Sequence, residues 1–325
     1  MSIFRPFSYL CFLHRVVAHG DNQGFIEMTS DAPGTPPAEI NIDLSLVARL
    51  LKAQFPDLAD LPVKIMEAGW DNVMVRVGER FALRLPRRFL ADNLLRNEQV
   101  WLPTLAPHLP LPIPAPLRCG TPTDFYPFHW SVLPWLPGQA ADLCPPDADQ
   151  AVVLASFLKT LHGLPLPENA PANPHRDCPL TGKQPSTEQR MRALEGQTDL
   201  LTPEIMAMWQ AGLSTPIDLT RCWIAGDIHA RNVLVDDGKL SAMIDWGDMC
   251  AGDPASDLAS IWALFGAAGA RRAAIEAYDM SAATLARAKG WAVFYGVILL
   301  ETGLQDTPRH AEMGRKMLAR LAEDS

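Results

Sequence analysis

Residues 226–248, GDIHARNVLVDDGKLSAMIDWGD, set two short β-prone runs on either side of Asp237-Gly238. An Asp-Gly step between such runs is a strong tight-hairpin signal, because the favoured turn needs positive φ at its central residues. A two-residue turn there dictates a register. Asp236 faces Lys239, Val235 faces Leu240, Leu234 faces Ser241, Val233 faces Ala242, and Asn232 lies across from Met243. Asn232 and Asp245 are then diagonal neighbours on one face at the open end of the hairpin, roughly 7–8 Å apart at the backbone. Two oxygen-bearing side chains at that separation are able to share one divalent cation.

Upstream, Leu44, Val47, Leu51 and Phe55 recur at helical spacing and predict an amphipathic helix ended by Pro56. Val63–Glu67, Val73–Val77 and Phe81–Leu85 read as an antiparallel meander, and residues 91–105 as a helix that Pro103 must kink or end. A proline-dense stretch, PHLPLPIPAPLRCGTPTDFYP, reads as irregular chain with one short strand before the apolar run FHWSVLPWLPG, where Pro137-Gly138 suggests a junction. Beyond it, residues 151–162, 203–213, 256–278, 281–303 and 311–323 read as helices around the single hairpin. Strands with one helix first, then mainly helices, predict an α+β architecture of two lobes: 41–137 with a small antiparallel sheet, and 138–325, larger and mainly helical. Residues 1–40 are expected to be a tail or the product of start-codon choice.

The net charge of −9, with no Lys/Arg-rich run, argues against nucleic acid as a polymer ligand. An acidic surface suits a cationic substrate but is also ordinary for solubility. No run approaches ~18 consecutive apolar residues, so no membrane span is expected. The six cysteines show no C-x-x-C pair, which points to free, mostly buried thiols in a reducing, cytoplasmic setting.

Asp227 and Asn232 have the D-x-x-x-x-N spacing of a kinase catalytic loop, and Asp245-Trp246-Gly247 follows thirteen residues on, in the place of the metal-binding step. With AGDIHARN, MIDWGD, GDPASDLA, ALRLPR, NEQVWLPTL, LPWLPG and FLKTLHGLP, the chain resembles the aminoglycoside phosphotransferase family over most of residues 62–320. The resemblance implies a protein-kinase-like fold and transfer of the γ-phosphoryl group of ATP, with Mg²⁺, to a hydroxyl of a small molecule.

It also implies roles. Asp227 accepts or orients the proton of the attacking hydroxyl, and Asn232 and Asp245 hold Mg²⁺. Arg84 falls where the family usually has a phosphate-reaching Lys, with Glu98 as its ion-pair partner. Gly69-Trp70-Asp71-Asn72 is the phosphate-covering turn. Val132, Leu133 and Trp135 belong to the strand whose backbone meets adenine. Asp257, in the helix DLASIWALF, either caps that helix or accepts hydrogen bonds from the catalytic-loop backbone. His229 reads as a structural residue, and Asp248 and Asp253 as turn formers.

Two departures stand out: Arg84 for Lys, since a forked guanidinium and a compact ammonium are not interchangeable, and Ala225 where the family commonly has His. They keep open a catalytically degenerate nucleotide-binding module. A metallophosphoesterase reading from the GDIH segment lacks the further metal-binding segments that class needs.

Overall fold

The structure, a computed structural model, describes residues 37–69, 71–305 and 307–324. Most of the expected tail, and Trp70, lie outside the described residues. The fold begins before Asn41: the Glu39 amide donates to the Arg87 carbonyl (2.9 Å), and the Glu39 carboxylate accepts from the Phe89 amide (3.0 Å).

Asp43 caps α1 (Leu44–Gln54), accepting from the Leu46 amide at 2.8 Å, and Leu46, Val47, Leu50 and Leu51 form its buried stripe. That stripe packs in one core with Val73, Val75, Val77, Leu83, Leu85, Trp130 and Val132. These residues lie on an antiparallel sheet built from β1 (Val63–Ala68), β2 (Asn72–Val77), β3 (Phe81–Pro86), β4 (Arg118–Gly120) and β5 (Trp130–Pro134), in the order β1-β2-β3-β5-β4. Between β3 and β4 runs α2 (Phe89–Leu105), which continues past Pro103 for the rest of its last turn.

The remainder is mainly helical. Short β6 (Gln139–Ala140) leads to α3 (Gln150–Gly163), α4 (Gln184–Leu194) and α5 (Pro203–Ser214). β7 (Cys222–Ile224), the hairpin of β8 (Val233–Asp236) and β9 (Lys239–Met243), and β10 (Cys250–Gly252) follow; β7 pairs with β10, and β6 with β8. The expected helix over 256–278 is three: α6 (Ala255–Leu258), α7 (Ser260–Leu264) and α8 (Ala268–Tyr278). The break is stable because arginines satisfy its carbonyls: Arg320 donates to those of Trp262 and Ala263, and Arg271 to those of Phe265 and Gly266. The chain ends in α9 (Ala282–Gln305) and α10 (Pro308–Glu323). α9 is long and apolar enough to cross a membrane by length and composition, and is mostly buried against α5 and α10. α4, β7 and β10 carry no strong periodicity and were not expected.

Of the described cysteines, all free, Cys222 and Cys250 are buried, Cys144 and Cys178 half-buried, and Cys119 exposed.

The hairpin turn forms as expected, with Asp237 at φ 47° and Gly238 at φ 73°. The expected register holds for Asp236↔Lys239 and Val235↔Leu240, then shifts, with Leu234 facing Ala242 and Val233 facing Met243. Ser241 is the extra residue. The cause is a third chain segment: Ser241 Oγ donates to the Pro137 carbonyl (2.7 Å), and Gly138 sits so close that a Cβ there would lie 2.6 Å from Ser241 Oγ and 2.9 Å from the Val235 carbonyl oxygen. Asn232 is consequently opposite Ile244, whose amide donates to its carbonyl at 2.8 Å.

Candidate active site

The bulge places Asp245 just after the paired strand, and its φ of 60° turns it out of the β conformation. Period-2 alternation therefore does not carry Asn232 and Asp245 to one face, contrary to the expected register. What gathers the site is a set of tertiary contacts. Asn232 Nδ2 donates to the Asp227 carbonyl at 3.0 Å and lies 3.3 Å from His229 Nε2, which is in turn 3.6 Å from Asp227 Oδ2. His229 also accepts the Arg231 amide on Nδ1 at 3.2 Å, so it braces the loop from inside.

Behind the loop, the carboxylate of Asp257 accepts the amides of Ala225 (2.8 Å) and Gly226 (2.9 Å). Asp257 lies within α6 and does not cap it; the N-cap position is taken by Pro254, with no side-chain capping hydrogen bond. His162, on α3, places Nε2 3.3 Å from Asp257 Oδ2 and Nδ1 2.8 Å from the Tyr278 hydroxyl. Loss of the usual His at Ala225 thus leaves the loop backbone anchored through a buried carboxylate.

Gly226 has φ +84°, and a Cβ there would stand 2.6 Å from the Asp248 carbonyl oxygen. Gly226→Ala is expected to cost about 1–3 kcal/mol from backbone strain alone, a fall of several degrees in Tm for a chain of this size. An unchanged melting curve would show that the loop has another conformation available.

From the sheet side, Arg84 on β3 is nearly buried. Its Nη2 donates to Asp245 Oδ1 at 2.7 Å, and its Nε lies 3.0 Å from Glu98 Oε2, a charge contact without hydrogen-bond alignment. Arg84 is therefore shared between two acids and is not bidentate to Glu98. Glu98, on α2, also accepts the Trp246 amide at 3.2 Å, which ties α2 to the 245–247 step. Burial pushes the Glu98 carboxyl up against the pull of Arg84, with Asp245 adding to the rise. Burial also opposes the charge on Asp245, but Arg84's charge and hydrogen bond outweigh it and hold that carboxyl below its usual range.

In the covering turn, the Gly69 amide donates to the Asn72 carbonyl at 2.9 Å, and Asn72 Oδ1 is buried without a hydrogen-bond partner. Asp71 is 3.3 Å from Arg88. Burial raises its carboxyl against Arg88, and the fields of Asp245 and Asp248 raise it further. On β5, Val132 and Leu133 are buried, the Val132 carbonyl accepts the Leu117 amide (2.8 Å), and the Trp135 amide is spent on the Arg80 carbonyl (2.8 Å). Alternation along the strand turns the Pro134 carbonyl away from β3.

Arg176, in the irregular segment PANPHRDCPL, carries no motif or periodicity that marks it in the sequence. Its Nη2 lies 3.0 Å from Asp227 Oδ1, and its Nε and Nη2 donate to Asp248 Oδ2 at 2.9 and 2.6 Å. Asn173 Nδ2 donates to the other Asp248 oxygen at 2.9 Å. Asp248 is thus an ion-pair partner, while Asp253 is structural, held by Arg287 Nε at 2.8 Å. Tyr295, on α9, donates to the Gly226 carbonyl at 3.2 Å.

A family model described as the phosphotransferase enzyme family matches residues 62–291. No curated protein matches the sequence. Among solved structures, the GDP complex of wild-type aminoglycoside 2′-phosphotransferase IIIa is similar with TM-score 0.62 and 19% identity, covering 86% of this chain and 98% of that one. ADP-bound aminoglycoside phosphotransferase APH(2″)-Ib gives 0.54 and 16%, covering 86% and 99%. Macrolide 2′-phosphotransferase MphH from Brachybacterium faecium, as apoenzyme, gives 0.53 and 20%, covering 84% and 98%. Likeness at these identities speaks for the protein-kinase-like fold alone, but the family model spans well over half of the sequence, and the chain belongs to the phosphotransferase enzyme family.

Proposed function

We propose that this chain is a small-molecule kinase of the cytoplasm, moving the γ-phosphoryl group of ATP to a hydroxyl, with residues 41–137 carrying the nucleotide and 138–325 the acceptor. The observation that carries this reading is the Arg84 fork, which joins Glu98 on α2 to Asp245 beside the Asp227 loop and so makes one site of the two halves. Phosphoryl transfer asks the protein mainly for positioning and charge neutralisation.

In this reading Asp227 receives the proton of the attacking hydroxyl. Its Oδ1 is engaged by Arg176 at 3.0 Å, and Oδ2, 3.6 Å from His229 Nε2, is the more open of the two oxygens. Asn232 and Asp245 fit Mg²⁺ as hard oxygen donors: the Asn232 nitrogen is spent on the loop carbonyl, which leaves its oxygen to ligate. Among the described residues no group of three or more His, Cys, Asp or Glu forms a metal cage. Two protein oxygens suit an ion that takes its other ligands from phosphates and water. Bound Mg²⁺ and ATP would supply phosphate-charge neutralisation and the transferable group. Arg84 is placed to orient Asp245, and the buried Asn72 Oδ1 gives the covering turn a polar group in need of a partner.

The test is ADP release by the full chain with ATP, Mg²⁺ and a panel of hydroxyl acceptors, with GTP in a parallel arm. Acceptor-dependent ADP formation that a chelator abolishes is expected. Tight Mg·ATP binding with no turnover on any acceptor would favour the degenerate module instead, a reading to which the arginines on both Asp227 and Asp245 lend some support.

A further inference from the structure

We infer that the acceptor carries an anionic group, carboxylate or phosphate, next to its reactive hydroxyl, and that Lys183 seats it beside Arg176; this rests on the phosphotransferase reading above. Phe294 and Tyr295, consecutive on α9, hold their ring centroids 5.0 Å apart. Arg176 lies over the Tyr295 ring at 5.8 Å, and the Lys183 ammonium over the Phe294 ring at 5.7 Å. Two cationic heads therefore stand on one aromatic wall adjoining Asp227.

The two carboxylates that contact Arg176 are already partnered. Both oxygens of Asp248 are engaged, one by Arg176 and the other by Asn173, and Asp227 Oδ1 is engaged by Arg176. An ammonium brought to this wall would meet two cations, and the carboxylates beside it, Asp248 and Asp227, are already paired with Arg176. Lys183, by contrast, has no carboxylate within salt-bridge distance among the described residues. Burial acts most strongly against its ammonium and the Arg176 charge adds to it, while Cys178 and the Asp248 charge offset them only in part, so an anion has something to gain there. The overall charge of −9 does not describe this wall.

The test is calorimetric titration of the full chain, with Mg²⁺ and a non-hydrolysable ATP analogue, against glucose, glucosamine, glucuronate, glucose 6-phosphate and kanamycin. One partly buried charge pair corresponds to about tenfold in affinity. Glucuronate or glucose 6-phosphate should bind about tenfold more tightly than glucose and more tightly still than glucosamine or kanamycin, and which of the two wins separates carboxylate from phosphate. Lys183→Met should erase that preference and Lys183→Glu should reverse it, with melting curves near those of the parent because the side chain is partly exposed. No anionic preference, or a preference that survives Lys183→Glu, overturns the inference. Failure of the ATP analogue to bind in the same titrations would instead remove the kinase reading itself.

Discussion

Asp227→Asn is expected to slow phosphoryl transfer by ~10²–10⁴ while leaving Mg·ATP affinity where it was. General-base loss of that size corresponds to about 3–5 kcal/mol of transition-state stabilisation. The substitution keeps the shape of the side chain and removes its ability to take a proton. Arg176 and His229 lose a charged partner, but the rest of the frame stays: Asp257 still accepts the Ala225 and Gly226 amides, and Arg176 keeps both hydrogen bonds to Asp248. Asn232 is held through the backbone carbonyl of residue 227, which the substitution retains. Single-turnover rates beside calorimetric Mg·ATP titrations decide the matter, and near-normal transfer would remove Asp227 from the role of proton acceptor.

The residues of this site were legible in the sequence where local chemistry determines them. Asp237-Gly238 specified its turn because only a few residues adopt positive φ at low cost, and the strands of the meander announced themselves by alternation and by Gly-containing turns. The spacing of Asp227, Asn232 and Asp245 was legible for the same reason, since all three lie on one short loop–hairpin unit. What escaped depends on partners distant in the chain. The bulge at Ser241 exists because residues 137–140 pack on the hairpin about a hundred positions away in sequence, and no periodicity within 226–248 encodes that. Arg176 sits in an irregular segment, PANPHRDCPL, where neither period 2 nor period 3.6 marks a face, and its partners lie fifty to seventy residues on. The helix expected over 256–278 has unbroken apolar periodicity, but Gly266 and the arginine-capped carbonyls around it make a break stable. Asp257 could be read either way from sequence, because a helix cap and a loop anchor call for the same acid; only the positions of two amides choose between them.

Asp245→Asn should separate from Asp227→Asn by striking nucleotide binding as well as turnover. Asp245 is the one charged oxygen donor proposed for Mg²⁺, and an amide in its place leaves phosphate charge poorly neutralised. Removing groups that merely support a metal ligand already costs 10–100-fold in affinity, so a loss of Mg·ATP affinity of at least that order is expected. The structure adds a second consequence. Without the Asp245 charge, Arg84 keeps only Glu98, and Glu98 loses a repelling neighbour. The Asp245 carboxyl is held below its usual range in the folded chain, so its contribution to stability is present above the unfolded-state pKa and is lost as pH falls through the folded one. The parent should therefore lose stability on strong acidification by a component that the Asn variant lacks. That component is modest, since half of the Asp245 side chain faces solvent. Titrations of Mg²⁺ and ATP, with melting curves across pH for parent and variant, read both effects at once. Were the Asn variant to bind Mg·ATP as the parent does, Asp245 would be a structural partner of Arg84 and the ion would have to be held elsewhere.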